Sequence, residues 1–168
     1  HDSGAVLEQS LQMQAQYFTP NDAENIPLGT IQPVVGTPMD LRAPTQIGTQ
    51  IREPYLQVVQ ARGYDHNFVV DGPIGTLRPT ARAYAPTTGI MMEVATTLPG
   101  VHLYTANFIE EGRAGKNGAC YGPQHAYCLE TQFFPDAPNQ PAFPSAVLRA
   151  NEIYDHTTTF RFSVQNKI

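Results

Sequence analysis

Ser10–Tyr17 reads SLQMQAQY, and the fold turns on how that stretch is read. Leu11, Met13, Ala15 and Tyr17 alternate with Gln12, Gln14 and Gln16. Successive side chains of a strand point to opposite faces, so the pattern predicts one half-buried strand with a polar face of glutamines. A helix needs apolar residues three and four positions apart, which the stretch does not offer. Beyond it, Thr19-Pro20-Asn21-Asp22 and Ile26-Pro27-Leu28-Gly29 are turns, and a short strand at Thr30–Val35 is closed by Gly36-Thr37-Pro38. Pro44–Gln60 is the best place for a little helix, since Ile47 and Ile51, with Leu56 as a further candidate, could share a face; Pro54 interrupts it. Gly63–Val70, Leu77–Tyr84, Ile90–Thr96, His102–Phe108, Ala126–Phe133 and Thr157–Val164 all read as strands.

The chain carries 15 prolines and 13 glycines in 168 residues, punctuation that suits many short strands joined by turns. The expectation is an all-β chain, a sandwich of antiparallel sheets forming a single domain over residues 1–168. Fifteen acidic residues against ten basic ones give a formal charge of −5, with no basic stripe. That makes nucleic acid and anionic membrane poor partners, and neither is expected. The apolar runs are far too short to span a bilayer. Cys120 and Cys128 read as free thiols of a reducing, cytoplasmic compartment, with a single bridge as the alternative.

Several chemistries can be set aside on spacing. Five scattered histidines match no metal-binding pattern, so no metal is expected. Gly112–Gly118, GRAGKNG, invites a phosphate reading but lacks the loop spacing and the following helix, so it reads as a hairpin loop. No G-x-S-x-G occurs, and neither cysteine has a histidine at readable spacing.

Ala126–Gln140, AYCLETQFFPDAPNQ, carries the strongest candidate. The strand pattern puts Glu130 on one face with Cys128 and Gln132, while Leu129 and Thr131 point the other way. A carboxylate among Tyr127, Phe133 and Phe134 needs a partner or a task, although a lone strand glutamate is more often structural. In GYDHNF, Asp65 and His66 face opposite ways and cannot jointly grip one ligand without a bulge. The same dipeptide recurs as Asp155-His156, and a lone Asp–His pair is more often turn chemistry. His102 shares a face with Tyr104 and Ala106, and Asn107 and Arg113 are nearby donors.

GTPMDLR (36–42), GYDHNF (63–68) and YCLETQFFPDAPNQPAFPS (127–145) resemble the signature stretches of the aldose 1-epimerase family. PGVHLYTANF (99–108), GKNGACY (115–121) and YDHTTTFRFS (154–163) follow in the same order, so the resemblance runs from about Leu7 to the C-terminus. It implies a β-supersandwich that interconverts the α and β anomers of free hexoses, galactose or glucose, without a cofactor. In such enzymes a glutamate is general base on the anomeric hydroxyl and a histidine protonates the ring oxygen. By position the base is Glu130 and the hydroxyl-binding aspartate is Asp65, with His102 and Asn107 lining the pocket. The apolar neighbours of Glu130 are expected to raise its pKa, as a base for a weakly acidic hydroxyl requires.

Two departures qualify the likeness. A glutamine usually stands where this chain has His102, and imidazole is shorter and can ionise. The family's acid histidine lies in a segment upstream of the region matched, and His1 is not that residue. The chain is therefore expected to be the C-terminal portion of a longer sandwich that lacks its opening strands. Its missing half would be present separately or unseen. The fragment alone is expected to be sticky along unpaired apolar edges. A carbohydrate-binding module of the same fold without catalysis is the alternative function, and a purely structural β-domain a third.

Overall fold

The computed structural model describes residues 5–165; His1 lies outside them. Among the described residues, strands β1 (Ser10–Met13), β2 (Tyr17–Thr19), β3 (Gln32–Pro33) and β4 (Thr45–Gln46) are followed by two short helices. These are α1 (Ile47–Gln50) and α2 (Leu56–Gln60). Then come β5 (Asp65–Val69), β6 (Arg78–Ala85), β7 (Ile90–Thr96), β8 (Gly100–Tyr104), β9 (Arg113–Ala114), β10 (Cys120–Tyr121), β11 (Cys128–Gln132) and β12 (Thr158–Val164). Pro54 falls in the break between α1 and α2, where its missing N–H and fixed φ end the helical run.

Two five-stranded sheets carry the fold, in the orders β12-β7-β6-β1-β4 and β11-β8-β5-β2-β3, and every pairing is antiparallel. They pack face to face. Leu11, Met13, Ala81, Ala83 and Val94 of the first sheet form one buried cluster with Phe18, Phe68, Val101, Leu103 and Leu129 of the second. The glycine-rich segment is the predicted hairpin loop, since β9 and β10 pair across a 3-10 turn at Lys116–Gly118.

The opening stretch departs from its reading. Ser10–Tyr17 is not one strand: β1 belongs to the first sheet and β2 to the second. Leu11, Met13 and Ala15 are buried as the alternation requires, but Tyr17 is 45% exposed and Phe18 takes the inward place. The chain changes layer between Met13 and Tyr17, and the parity slips there. Asp71 holds this crossing: its N–H donates to the Gln14 carbonyl (3.0 Å) and its carboxylate accepts from the Gln16 N–H (3.2 Å).

At the far edge the sheets are joined by hydroxyls. Thr158 Oγ1 of β12 meets Thr96 Oγ1 of β7 at 3.0 Å and Thr131 Oγ1 of β11 at 2.6 Å. The rest of β12 is open. Phe160 and Phe162 stand opposite Val94 and Met92, so they extend the inward face of the first sheet, yet they are 48% and 65% exposed. From the second Asp–His pair, His156 latches this edge, with Nδ1 3.0 Å from Thr97 Oγ1 and its ring edge-on to Phe133.

Candidate active site

The site is built by the register of three strands. In β11, β8 and β5, Glu130 stands opposite His102, which stands opposite Asn67. The next rung sets Cys128 opposite Tyr104 opposite Asp65. Side chains paired in this way share a face, and here it is the outer face of the second sheet. Leu129, Leu103 and His66 take the inner face and are buried.

Asp65 and His102 are joined across the rungs, with Nε2 of His102 2.7 Å from Oδ1 of Asp65. Both side chains are mostly covered, at 22% and 16% exposure. His66 turns inward as strand alternation demands. Its Nδ1 accepts the Asp65 N–H (3.0 Å), and its ring lies edge-on to Phe18. Burial is the main cause that pushes the His66 pKa down to about 4; the nearby His102 adds to this and Asp65 opposes it. The Asp–His dipeptide thus splits between surface and core.

One end of this face is roofed. After β11 the chain folds back, and Phe134 packs edge-on against Phe143 at 5.2 Å, with Ala137 and Val69 in the same cluster. Asp136 turns the corner in the left-handed region, at φ 59°. Its carboxylate accepts from the side-chain amides of Asn139 and Gln140, and these bonds hold its pKa below the usual carboxylate range. The roof is close enough that a Cβ on Gly100 would meet the Asn67 amide oxygen and approach the Phe134 ring to 3.0 Å. Only glycine leaves that room.

Glu130, His102 and Asp65 are thus brought together on one face. The surroundings of Glu130 differ from those expected. Glu130 is exposed. Tyr127 packs against the main core, Phe133 against His156 and Phe134 against Phe143. Alternation turns Tyr127 and Phe133 away from the Glu130 face, and Phe134, beyond the end of β11, roofs the Gly100 end of that face. The carboxylate does act on its own face, since burial first and the Glu130 charge second push the Cys128 thiol up. Both cysteines are free and exposed.

Asn107 is not placed on the face. It is 4% exposed, its Nδ2 donates to the Tyr64 carbonyl (2.8 Å) and its Oδ1 accepts from Thr105 Oγ1 (2.7 Å). It pins the residue before Asp65. Asn67 is the residue the sequence reading passed over: it is buried beside His102, with neither amide atom hydrogen-bonded among the described residues. Its spacing of two from Asp65 in GYDHNF was the available signal. The described residues hold no cluster of three or more metal-ligating side chains.

A family model described as aldose 1-epimerase matches residues 1–161. Galactose mutarotase from Homo sapiens is 43% identical over 159 residues, covering 95% of this chain and 45% of that protein. Galactose mutarotase from Bos taurus is likewise 43% identical over 159 residues, with the same coverage of both proteins. The crystal structure of a GalM/aldose epimerase homologue from C. elegans superposes with a TM-score of 0.85 at 28% identity, covering 98% of this chain and 48% of that one. The chain spans about half the length of the relatives it matches.

Proposed function

The chain belongs to the aldose 1-epimerase family, and from that premise we propose that the protein interconverts the α and β anomers of a free hexose such as galactose or glucose. The observation that carries this reading is the row Glu130, His102 and Asp65 on one sheet face, with His102 and Asp65 joined at 2.7 Å. Glu130 is the proposed general base. It takes the proton from the anomeric hydroxyl; the C1–O1 bond gains carbonyl character as the C1–O5 bond breaks, and O5 receives a proton from an acid. Rotation about C1–C2 in the open aldehyde, followed by the reverse steps, returns the other anomer. No redox change and no cofactor enter this balance.

Asp65 is the proposed acceptor for sugar hydroxyls, with Tyr104 as an aromatic neighbour on the same face. His102 lines the site beside it. Asn107 serves at one remove, by fixing Tyr64 and hence the start of β5. Neither His102, engaged with Asp65, nor His66, turned into the core, is assigned the acid step. An exposed glutamate becomes a better base when the sugar and the rest of the protein cover it, since desolvation disfavours the charged form.

The test is polarimetry on the whole protein. Wild type should accelerate the approach of α-galactose to anomeric equilibrium, and Glu130→Gln should lose most of that while still binding the sugar. Unchanged turnover in Glu130→Gln would remove Glu130 from the mechanism. Sugar binding by wild type with no acceleration would establish a binding module instead.

A further inference from the structure

The imidazole of His102 lies between two acidic positions. Glu130 is directly opposite on β11, and Asp65 is diagonal on β5. Directly opposed residues have Cβ atoms about 4.5–5.5 Å apart and diagonal ones about 7–8 Å, so a side chain as long as histidine can bridge to the diagonal one. It bridges to Asp65, at 2.7 Å, and both side chains are mostly covered. In this pairing Nε2 is the donor and the Asp65 carboxylate the acceptor, the arrangement that the imidazole 15N shifts read. Nδ1 points into the protein, buried and without a partner among the described residues. Asp65 has no other side-chain hydrogen bond among the described residues, which leaves Oδ2 as its free acceptor.

We propose that His102 is a positioning residue: it holds Oδ1 of Asp65 and thereby aims Oδ2 at one hydroxyl of the bound hexose. This rests on the epimerase reading and gives Asp65 one acceptor where an unrestrained carboxylate would offer two. Charge-assisted hydrogen bonds are short and directional, so the carboxylate plane is set before the sugar arrives. The charged and titratable groups around the imidazole are Asp65 from β5, Glu130 and Cys128 from β11, Tyr104 from its own strand and His66 from beneath. Among the described residues, Asp65 alone is bonded to it.

A residue that sets a ground-state sugar contact should move KM and not kcat. In the whole protein, His102→Ala should raise the KM for galactose about tenfold, the loss of one such hydrogen bond, with kcat within about threefold. His102→Gln, which can present an amide N–H to the same oxygen, should recover most of that loss. In an Asp65→Asn background, His102→Ala should add little, because the group it positions has already been changed. Additive effects, no rescue by glutamine, or a fall in melting temperature with KM unmoved would overturn the proposal in favour of a structural strut.

If wild type exchanges no anomers, the functional reading fails; galactose dissociation constants of the same variants then decide the pairing in place of KM. The imidazole 15N shifts provide a readout independent of sugar. They should report a proton on Nε2 of His102 that is perturbed in Asp65→Asn, and identical spectra would sink the pairing itself.

Discussion

The outer faces of the two sheets carry rows of polar residues at matched positions, yet they differ in kind. On the first sheet, Arg82, Glu93 and Arg161 stand opposite one another across β6, β7 and β12. Their side chains are 44–82% exposed and their nearest charged atoms only come within 4.0 Å. On the second sheet, His102 and Asp65 are drawn to 2.7 Å and mostly covered. The sequences of the two rows are equally polar. The loop after β11 brings Phe134 and Phe143 over one end of the second sheet's face. A solvated ladder of long side chains gains little from its ion pairs. A half-covered pair in fixed geometry can discriminate between ligands.

The comparison is broken most directly by removing one carboxylate from each face. Glu130→Gln should reduce anomer exchange by about 10²–10⁴-fold, the usual worth of a general base, while Glu93→Gln leaves it unchanged. Equal effects in a polarimetric assay would mean the faces are equivalent. The next effect concerns what lies beneath the second face. Burial lowers the His66 pKa from 6.5 to about 4 in the fold. The unfolded chain therefore takes up this proton at higher pH than the folded one. The stability due to neutral His66 is complete above pH 6.5 and is lost as the pH falls toward 4, by up to about 3 kcal/mol. Urea unfolding at several pH values should show that slope in wild type, and His66→Leu should flatten it; parallel slopes in the two proteins would refute the assignment.

The roof itself can be sharpened with Gly100→Ala. The added Cβ would press the Asn67 amide and the Phe134 ring, at a cost of about 1–3 kcal/mol, or several degrees in melting temperature. A neutral result would show that the roof yields easily. The smallest effect belongs to the open ladder: Arg161→Ala should change stability by less than about 0.5 kcal/mol. A loss above 1 kcal/mol by chemical denaturation would mean that the ladder contributes more than its exposure suggests.

Much of this was legible residue by residue. Ile90–Thr96 is a strand with the expected bounds, Pro54 separates the two helices, and Asp65 and His66 face opposite ways as period-two geometry requires. The face shared by Cys128, Glu130 and Gln132 follows from alternation alone. Other features were not legible, for reasons that lie outside local pattern. The apolar alternation written in Ser10–Tyr17 runs past the point where the chain leaves one sheet for the other and the parity slips; that crossing is held by Asp71, some 55 residues on. The predicted strand His102–Phe108 ends at Tyr104, two residues before Ala106 adopts a positive φ of 53°. Asn107 beyond it bonds to Tyr64, 43 residues away.

What the sequence determined by itself was the parity of the strands beyond the layer crossing at Met13–Tyr17, the class of fold and the family, since alternation, turn residues and long motifs are local and survive without a partner. What only the tertiary structure decided was register and cover. Which carboxylate meets which imidazole, which aromatic residue roofs the face and which stays exposed depend on contacts between segments far apart in the chain, and side-chain periodicity carries no information about those distances.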